Sequence, residues 1–192
     1  MLEELGEECW FVHSPGAWEH LSIDDLKKEI ELEQKTLTWY GKTLDLPRLT
    51  AWYGEKGYNY SGVFNEPKEM PEALDQIRKE FRKLELGGKP LEFNSVLCNY
   101  YRDGSDSVGW HSDYETSLGP TRDNIHIGSV SFGGTRKFVL RHRKTKVKVE
   151  FKLAHGDVFI MGGKLQMPWE HQVPKTSRKV EPRLNLTYRH II

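Results

Sequence analysis

Arg183-Leu184-Asn185-Leu186-Thr187-Tyr188-Arg189 alternates polar and apolar residues without a break. Period two describes a strand with unlike faces: Arg183, Asn185, Thr187 and Arg189 point one way, Leu184, Leu186 and Tyr188 the other. Two arginines on one strand face are unusual. If buried they need an anion, and a dicarboxylate or phosphate held by forked hydrogen bonds would serve; the plainer alternative is an edge strand whose polar face is wet. Upstream, from Leu91 onward, β-branched and aromatic residues alternate with polar ones between Gly and Pro punctuation. The pattern predicts strands near 94–101, 126–132, 136–142, 147–153, 157–161 and 183–190, with Gly162–Arg178 as loop. Short antiparallel strands behind a helical preface predict a mainly β fold with supporting helices, a sandwich or jelly roll.

The preface holds two helices. Ser22 and Asp25 form a capping box with Asp in place of Glu, and Ile23, Leu26 and Ile30 recur at helical spacing, which predicts a helix from about Ile23 to Glu33. Pro71 opens a second, with Leu74, Ile77, Phe81 and Leu84 on one stripe before Gly87 and Gly88, and this stripe should pack on a sheet.

Composition narrows the class. A chain of 192 residues is one domain, or one with a small extension, and 37% hydrophobic with 11% aromatic content excludes bulk disorder. With 28 basic and 28 acidic residues the formal net charge is zero, which argues against a nonspecific nucleic-acid coat. No apolar run reaches the ~18 to 20 residues of a membrane span, and Met1–Cys9 is acidic without a signal-peptide core. The expected location is intracellular, away from any membrane, with Cys9 and Cys98 as reduced thiols.

Candidate chemistry begins at His111-Ser112-Asp113 with His171 further on. In an extended segment residues i and i+2 share a side, so His111 and Asp113 can reach one ion. Two imidazoles and a carboxylate fill one face of an octahedral metal, as in a non-haem Fe(II) oxygenase. A zinc hydrolase could use the same three ligands, and His-X-Asp also occurs as plain surface polarity. Asn99 and Tyr101 offer neutral hydrogen bonds to the anion the arginines would hold, or else pack as ordinary strand residues. Trp52, Tyr53, Tyr58 and Tyr60 crowd into nine positions, as flat side chains that hold a flipped base do, or as the core of a small hairpin. The basic stretch from Arg136 to Lys148, with Arg141, Arg143 and Lys144 at its centre, can neutralise phosphates or be a solvated hairpin.

Asn99-Tyr100-Tyr101, His111-Ser112-Asp113, His171 and Arg183-X-Asn185-X-Thr187-X-Arg189, in that order, resemble the AlkB family of Fe(II)- and 2-oxoglutarate-dependent nucleic-acid demethylases over residues 46–190. Pro47–Gly54, Glu115 with Ser117-Leu118-Gly119, and Ser129–Gly133 are similar to the eukaryotic-type branch that repairs alkylated DNA and RNA. The resemblance implies a double-stranded β-helix core over 46–192 behind an N-terminal extension, 1–45, with a short helix. It implies Fe(II) on His111, Asp113 and His171, and 2-oxoglutarate among Asn99, Tyr101, Arg183, Asn185, Thr187 and Arg189. Residues from about 46 to 65 would form a nucleotide-recognition lid, containing Gly57-Tyr58-Asn59-Tyr60-Ser61, with Tyr60 or Trp52 stacked on a base opposite His111.

The expected reaction consumes O₂ and 2-oxoglutarate, removes methyl groups from N1-methyladenine and N3-methylcytosine, and releases formaldehyde, succinate and CO₂. Those bases are cations, which a carboxylate at Glu115 would favour. Tyr114 stands where similar sequences tend to carry Asp, and the segment before Pro47 is short for an elaborate duplex-probing hairpin. The expected partner is therefore a single-stranded or flipped methylated base in DNA and/or RNA, met by a monomer in the nucleus and/or cytoplasm. Alternatives are a hydroxylase of the same fold acting on a protein or small molecule, and a nucleic-acid reader without turnover.

Overall fold

The computed structural model describes residues 2–39, 42–60, 63–86, 89–113 and 125–192. In chain order the elements are β1 (Leu2–Gly6), β2 (Cys9–Ser14), α1 (Ile23–Glu29), β3 (Glu33–Trp39), β4 (Lys42–Gly54), β5 (Tyr58–Tyr60), β6 (Val63–Asn65), α2 (Glu72–Arg82), β7 (Glu85–Leu86) and β8 (Lys89–Pro90). The second half supplies β9 (Ser95–Tyr101), β10 (Val108–His111), β11 (Ile127–Gly133), β12 (Arg136–His142), β13 (Lys148–Leu153), β14 (Val158–Gly163), β15 (Trp169–Val173) and β16 (Arg183–Arg189). An eight-stranded sheet runs β1-β2-β14-β11-β16-β9-β4-β3, and a four-stranded sheet β10-β15-β12-β13. Strands β9 to β16 are shared between the two and make a jelly-roll core, a double-stranded β-helix.

β16 lies between β11 and β9 with all seven residues buried, so the wet-edge alternative is excluded. Its two faces explain its composition. Leu184, Leu186 and Tyr188 join Leu74, Ile77 and Phe81 of α2 and Leu26 and Ile30 in one core on the outer side of the large sheet. Full burial of each such side chain is worth ~1.5 to 3 kcal/mol. Tyr188 further donates from its hydroxyl to the Leu74 carbonyl at 2.8 Å. A second core, with Phe11, Ile127, Phe138, Leu140 and Phe159, fills the space between the sheets.

Both helices are shorter than their patterns predict. Ser22 caps α1 without a side-chain hydrogen bond, and α1 ends at Glu29 because Ile30 turns extended (φ −104°, ψ 119°), which buries Ile30 and leads the chain into β3. α2 ends at Arg82, so Leu84 falls beyond the helix and is exposed, while Gly87 and Gly88 lie outside the described residues.

The expected loop over 162–178 is corrected by β15, which is hydrogen-bonded between β10 and β12. Pro47 sits inside β4, where the pairing with β3 slips between Asp45 and Leu49; such a bulge accommodates a residue with no N–H. The division drawn at residue 46 thus falls within β4, and β2 pairs with β14 along Cys9–Ser14.

Candidate metal centre

His111 and His171 face each other across the β10–β15 pairing, their ring centroids 4.2 Å apart. Asp113 follows two residues after His111. The donor atoms of the three lie within 4.8 Å of one another, close enough for one ion. Asp113 is 2% exposed and accepts from Arg189 Nη2 at 2.6 Å, with His171 Nε2 3.5 Å away. Gln166, on the turn before β15, accepts the Asp113 backbone N–H at 2.9 Å.

Electrostatics prepare these groups for a cation. Burial opposes ionisation of Asp113, yet Arg189, His171 and His111 outweigh it and hold the carboxyl well below its ordinary range. Burial, then the neighbouring His171, pushes His111 down to about 3, so the imidazole is neutral, the form that binds metal.

The polar face of β16 closes the other side of the same cavity. Arg183, Asn185, Thr187 and Arg189 line it together with His111, Asp113, His171, Asn99 and Tyr101. Arg183 is 1% exposed, lies 5.3 Å from the Tyr101 ring and donates through Nη2 to Ser131 Oγ (2.9 Å) and Asn185 Oδ1 (2.7 Å), but among the described residues Nε and Nη1 have no hydrogen-bond partner. Burial pushes its guanidinium down to about 10, still protonated at neutral pH. Asn185 is itself fixed, accepting from Ser129 and Ser131 and donating to Thr187 Oγ1 at 3.0 Å.

Sequence reasoning named the nine residues of this cavity's polar lining that come from β9, β10, β15, β16 and Asp113. It gave no site role to Arg48, 4% exposed, whose Nε donates to Asn99 Oδ1 at 2.8 Å, or to Ser129 and Ser131, which it met only within family-like stretches, and it passed over Gln166. Ser129 and Ser131 were readable in principle, since their period-two spacing on β11 matches that of Asn185 and Arg183 on β16. Nothing in the local sequence marks Gln166.

The substrate candidates are placed differently. Trp52 does not line the cavity; it is 3% exposed in β4, packs with Leu97 and Ile191, and donates to the Lys56 carbonyl at 3.0 Å. Tyr58 and Tyr60 lie on β5, paired with β6. Glu115, with Tyr114, lies outside the described residues. Arg141 and Arg143 both reach Glu170.

A cavity walled by two imidazoles from one sheet with a carboxylate just past β10, and by an anion-seeking guanidinium on the other sheet, defines a jelly-roll protein built for a metal ion beside a small acid. The pattern of the 2OG-Fe(II) oxygenase superfamily matches residues 10–189, and the chain belongs to that superfamily. It is 41% identical over 178 residues to human alpha-ketoglutarate-dependent dioxygenase alkB homolog 3 and 40% identical over 178 residues to the mouse protein, covering 88% of this chain and 60% of each relative. It is 36% identical over 186 residues to mouse DNA oxidative demethylase ALKBH2, covering 88% of this chain and 75% of that one. The chain thus spans about three-fifths of the length of the alkB homolog 3 proteins it matches. The solved structure of OsALKBH1 shares the fold, with a TM-score of 0.62 at 21% identity over 99% of this chain and 100% of that one.

The superfamily uses Fe(II), 2-oxoglutarate and O₂, and the residues fit. The three donor atoms lie within 4.8 Å of one another, and two buried donors of Arg183 lack hydrogen-bond partners among the described residues, which is costly unless a ligand takes them up.

Proposed function

We propose that this chain is an oxidative demethylase that removes N-methyl groups, as on N1-methyladenine and N3-methylcytosine, from DNA and/or RNA. The observation that carries the reading is one cavity holding both the His111, Asp113 and His171 cluster and an Arg183 with two donors unused among the described residues. His111, Asp113 and His171 would hold Fe(II). Arg183 would take the far carboxylate of 2-oxoglutarate, with Asn99, Tyr101, Asn185, Thr187 and Arg189 around it. When bound, these partners and O₂ supply the oxidation: one oxygen atom leaves with succinate as the co-substrate loses CO₂, and the other enters the N-methyl group, which departs as formaldehyde.

The chain's own residues do the positioning. Arg189 keeps Asp113 ionised, Gln166 fixes its backbone, and Ser131 and Asn185 aim the Arg183 fork. Phe138, Phe159 and Met161 wall the cavity and exclude bulk water from it. Tyr58, Tyr60 and Glu115 are assigned to the base, by stacking and by charge; Trp52 shares a cavity wall with Phe64 and Asn65 behind that hairpin. Arg141, Arg143 and the lysines after them are assigned to phosphates. The relatives' names, which include a DNA oxidative demethylase, support the nucleic-acid substrate. The reading extends to a single-stranded or flipped base and to a monomer in the nucleus and/or cytoplasm, where the two buried free thiols stay reduced.

Succinate and formaldehyde release, measured with methylated and unmethylated single-stranded DNA and RNA oligonucleotides, tests it. Coupled release on methylated strands alone supports demethylation. Succinate without response to any oligonucleotide would move the substrate to a protein or small molecule, and metal binding with no succinate would leave a reader.

A further inference from the structure

The strand that delivers His111 is poorly held by its backbone. β10 pairs with β15 only at Val108 with Val173 and at His111 with His171, and the register shifts between those two points. What the ladder omits, side chains on the outer face of the small sheet supply. Glu170, one residue before His171 and 9% exposed, accepts from Arg141 Nε at 2.7 Å, and its other oxygen lies 3.4 Å from Arg143 Nη1. Each arginine then reaches the His111 segment. The Arg141 guanidinium lies over the Trp110 ring, 3.9 Å from its centroid, and Arg143 Nη2 donates to Ser112 Oγ at 2.9 Å. Trp110 and Ser112 are the residues on either side of His111.

We propose that Glu170 is a positioning residue, which through Arg141 on Trp110 and Arg143 on Ser112 clamps His111 from both sides and sets its distance from His171. Alternation makes this possible: with His111 and His171 turned inward, their neighbours Trp110, Ser112 and Glu170 turn outward, onto the face where β12 presents Arg141. Arg141 Nε and Nη2 converge on one Glu170 oxygen while Arg143 Nη1 faces the other, and the Arg141 guanidinium lies on the Trp110 ring, which together fix orientation as well as distance. Residues that orient metal ligands in this way change affinity by ~10-fold or more when removed. The inference rests on His111, Asp113 and His171 being the metal ligands.

Mn(II), titrated alone into the full chain by calorimetry, tests it with five variants. Glu170→Gln and Arg143→Ala should each weaken Mn(II) binding by ~10-fold. Arg143→Ala and Ser112→Ala combined should lose no more than Arg143→Ala alone, because they break one contact. Lys137→Ala is the control: its 2.8 Å pair with Glu150 is a similar ion pair on the same strand, remote from His111, and its loss should leave affinity unchanged. His111→Ala separates the two readings. If it binds Mn(II) like wild type, the metal assignment falls and the clamp with it. If it abolishes binding while Glu170→Gln and Arg143→Ala bind like wild type, the clamp alone is overturned. Should Glu170→Gln fail to fold, Arg143→Ala, at the half-exposed end of the network, decides the question; an equal loss in Lys137→Ala would also overturn it.

Discussion

Arg183 opposes the fold that contains it. Its guanidinium is buried with two donors unpaired among the described residues, and because the folded chain holds the proton less tightly than the unfolded chain does, its charge works against folding at neutral pH. Arg183→Met should therefore weaken 2-oxoglutarate binding by ~2 to 5 kcal/mol while the ligand-free melting temperature stays level or rises. Calorimetric 2-oxoglutarate titration with thermal unfolding checks both halves; unchanged affinity with a lower melting temperature would make Arg183 structural. Asp113 behaves oppositely, since its 2.6 Å contact with Arg189 is a buried pair. Asp113→Ala should abolish turnover and also lower stability by ~3 to 5 kcal/mol, as Arg189 loses this carboxylate. Formaldehyde release near the wild-type rate would refute the metal role.

At the scale of elements, the loop from β9 to β10 sets where the metal strand begins. Asp106, 2% exposed, accepts from Arg102 Nε and Nη2 at 2.8 Å each, while its carbonyl accepts from the buried Arg136. Burial raises the Asp106 carboxyl, but the Arg102 hydrogen bonds and charge outweigh it and set it below the ordinary value. A carboxyl depressed in the folded state adds stability above its unfolded value, near ~3.9, and that stability is lost as pH falls through the folded value. Asp106→Asn should thus cost ~1.5 to 3 kcal/mol at neutral pH and flatten the acid limb of stability, read from urea unfolding between neutrality and acid pH. The basic hairpin needs more selective handling. Arg141 and Arg143 share Glu170, so Lys144→Glu with Lys146→Glu is the cleaner reversal and should weaken oligonucleotide binding and flatten its salt dependence, with uncoupled turnover unchanged.

The same elements show what the sequence could disclose. β12 and β16 were readable locally, β12 from its Phe138-Val139-Leu140 run and β16 from an alternation that declared two faces. β15 was not: Trp169-Glu170-His171-Gln172-Val173 has one β-branched residue and becomes a strand by pairing on both sides with distant β10 and β12. β4 hid behind Pro47, whose bulge is visible only once β3 is opposite. The candidate metal and co-substrate residues were legible through their resemblance to a family motif, but the Glu170 network was not, because it joins three strands that sequence order separates.

At the scale of the molecule, the candidate metal ligands sit on the small sheet side and Arg183 and Arg189 on the large sheet, so a metal and co-substrate bound as proposed would tie one sheet to the other. Mn(II) with 2-oxoglutarate, each at about 100 times its dissociation constant, should add at least ~2.7 kcal/mol. For a chain of 192 residues that is a rise of ~5 to 10 °C in melting temperature, reversed by a chelator, and no shift would deny the joint site. The place of β16 has a further consequence for biosynthesis. Among the described strands it joins β1-β2-β14-β11 to β9-β4-β3, and its pairing of Ser95 with Arg189 spans most of the second half of the chain. On the ribosome, both half-sheets emerge with an open inner edge and wait for the strand that belongs between them. A message truncated before codon 183 would leave two exposed edges in search of any partner, so nonsense products of this protein should be clients of chaperones and prone to aggregate rather than merely inactive.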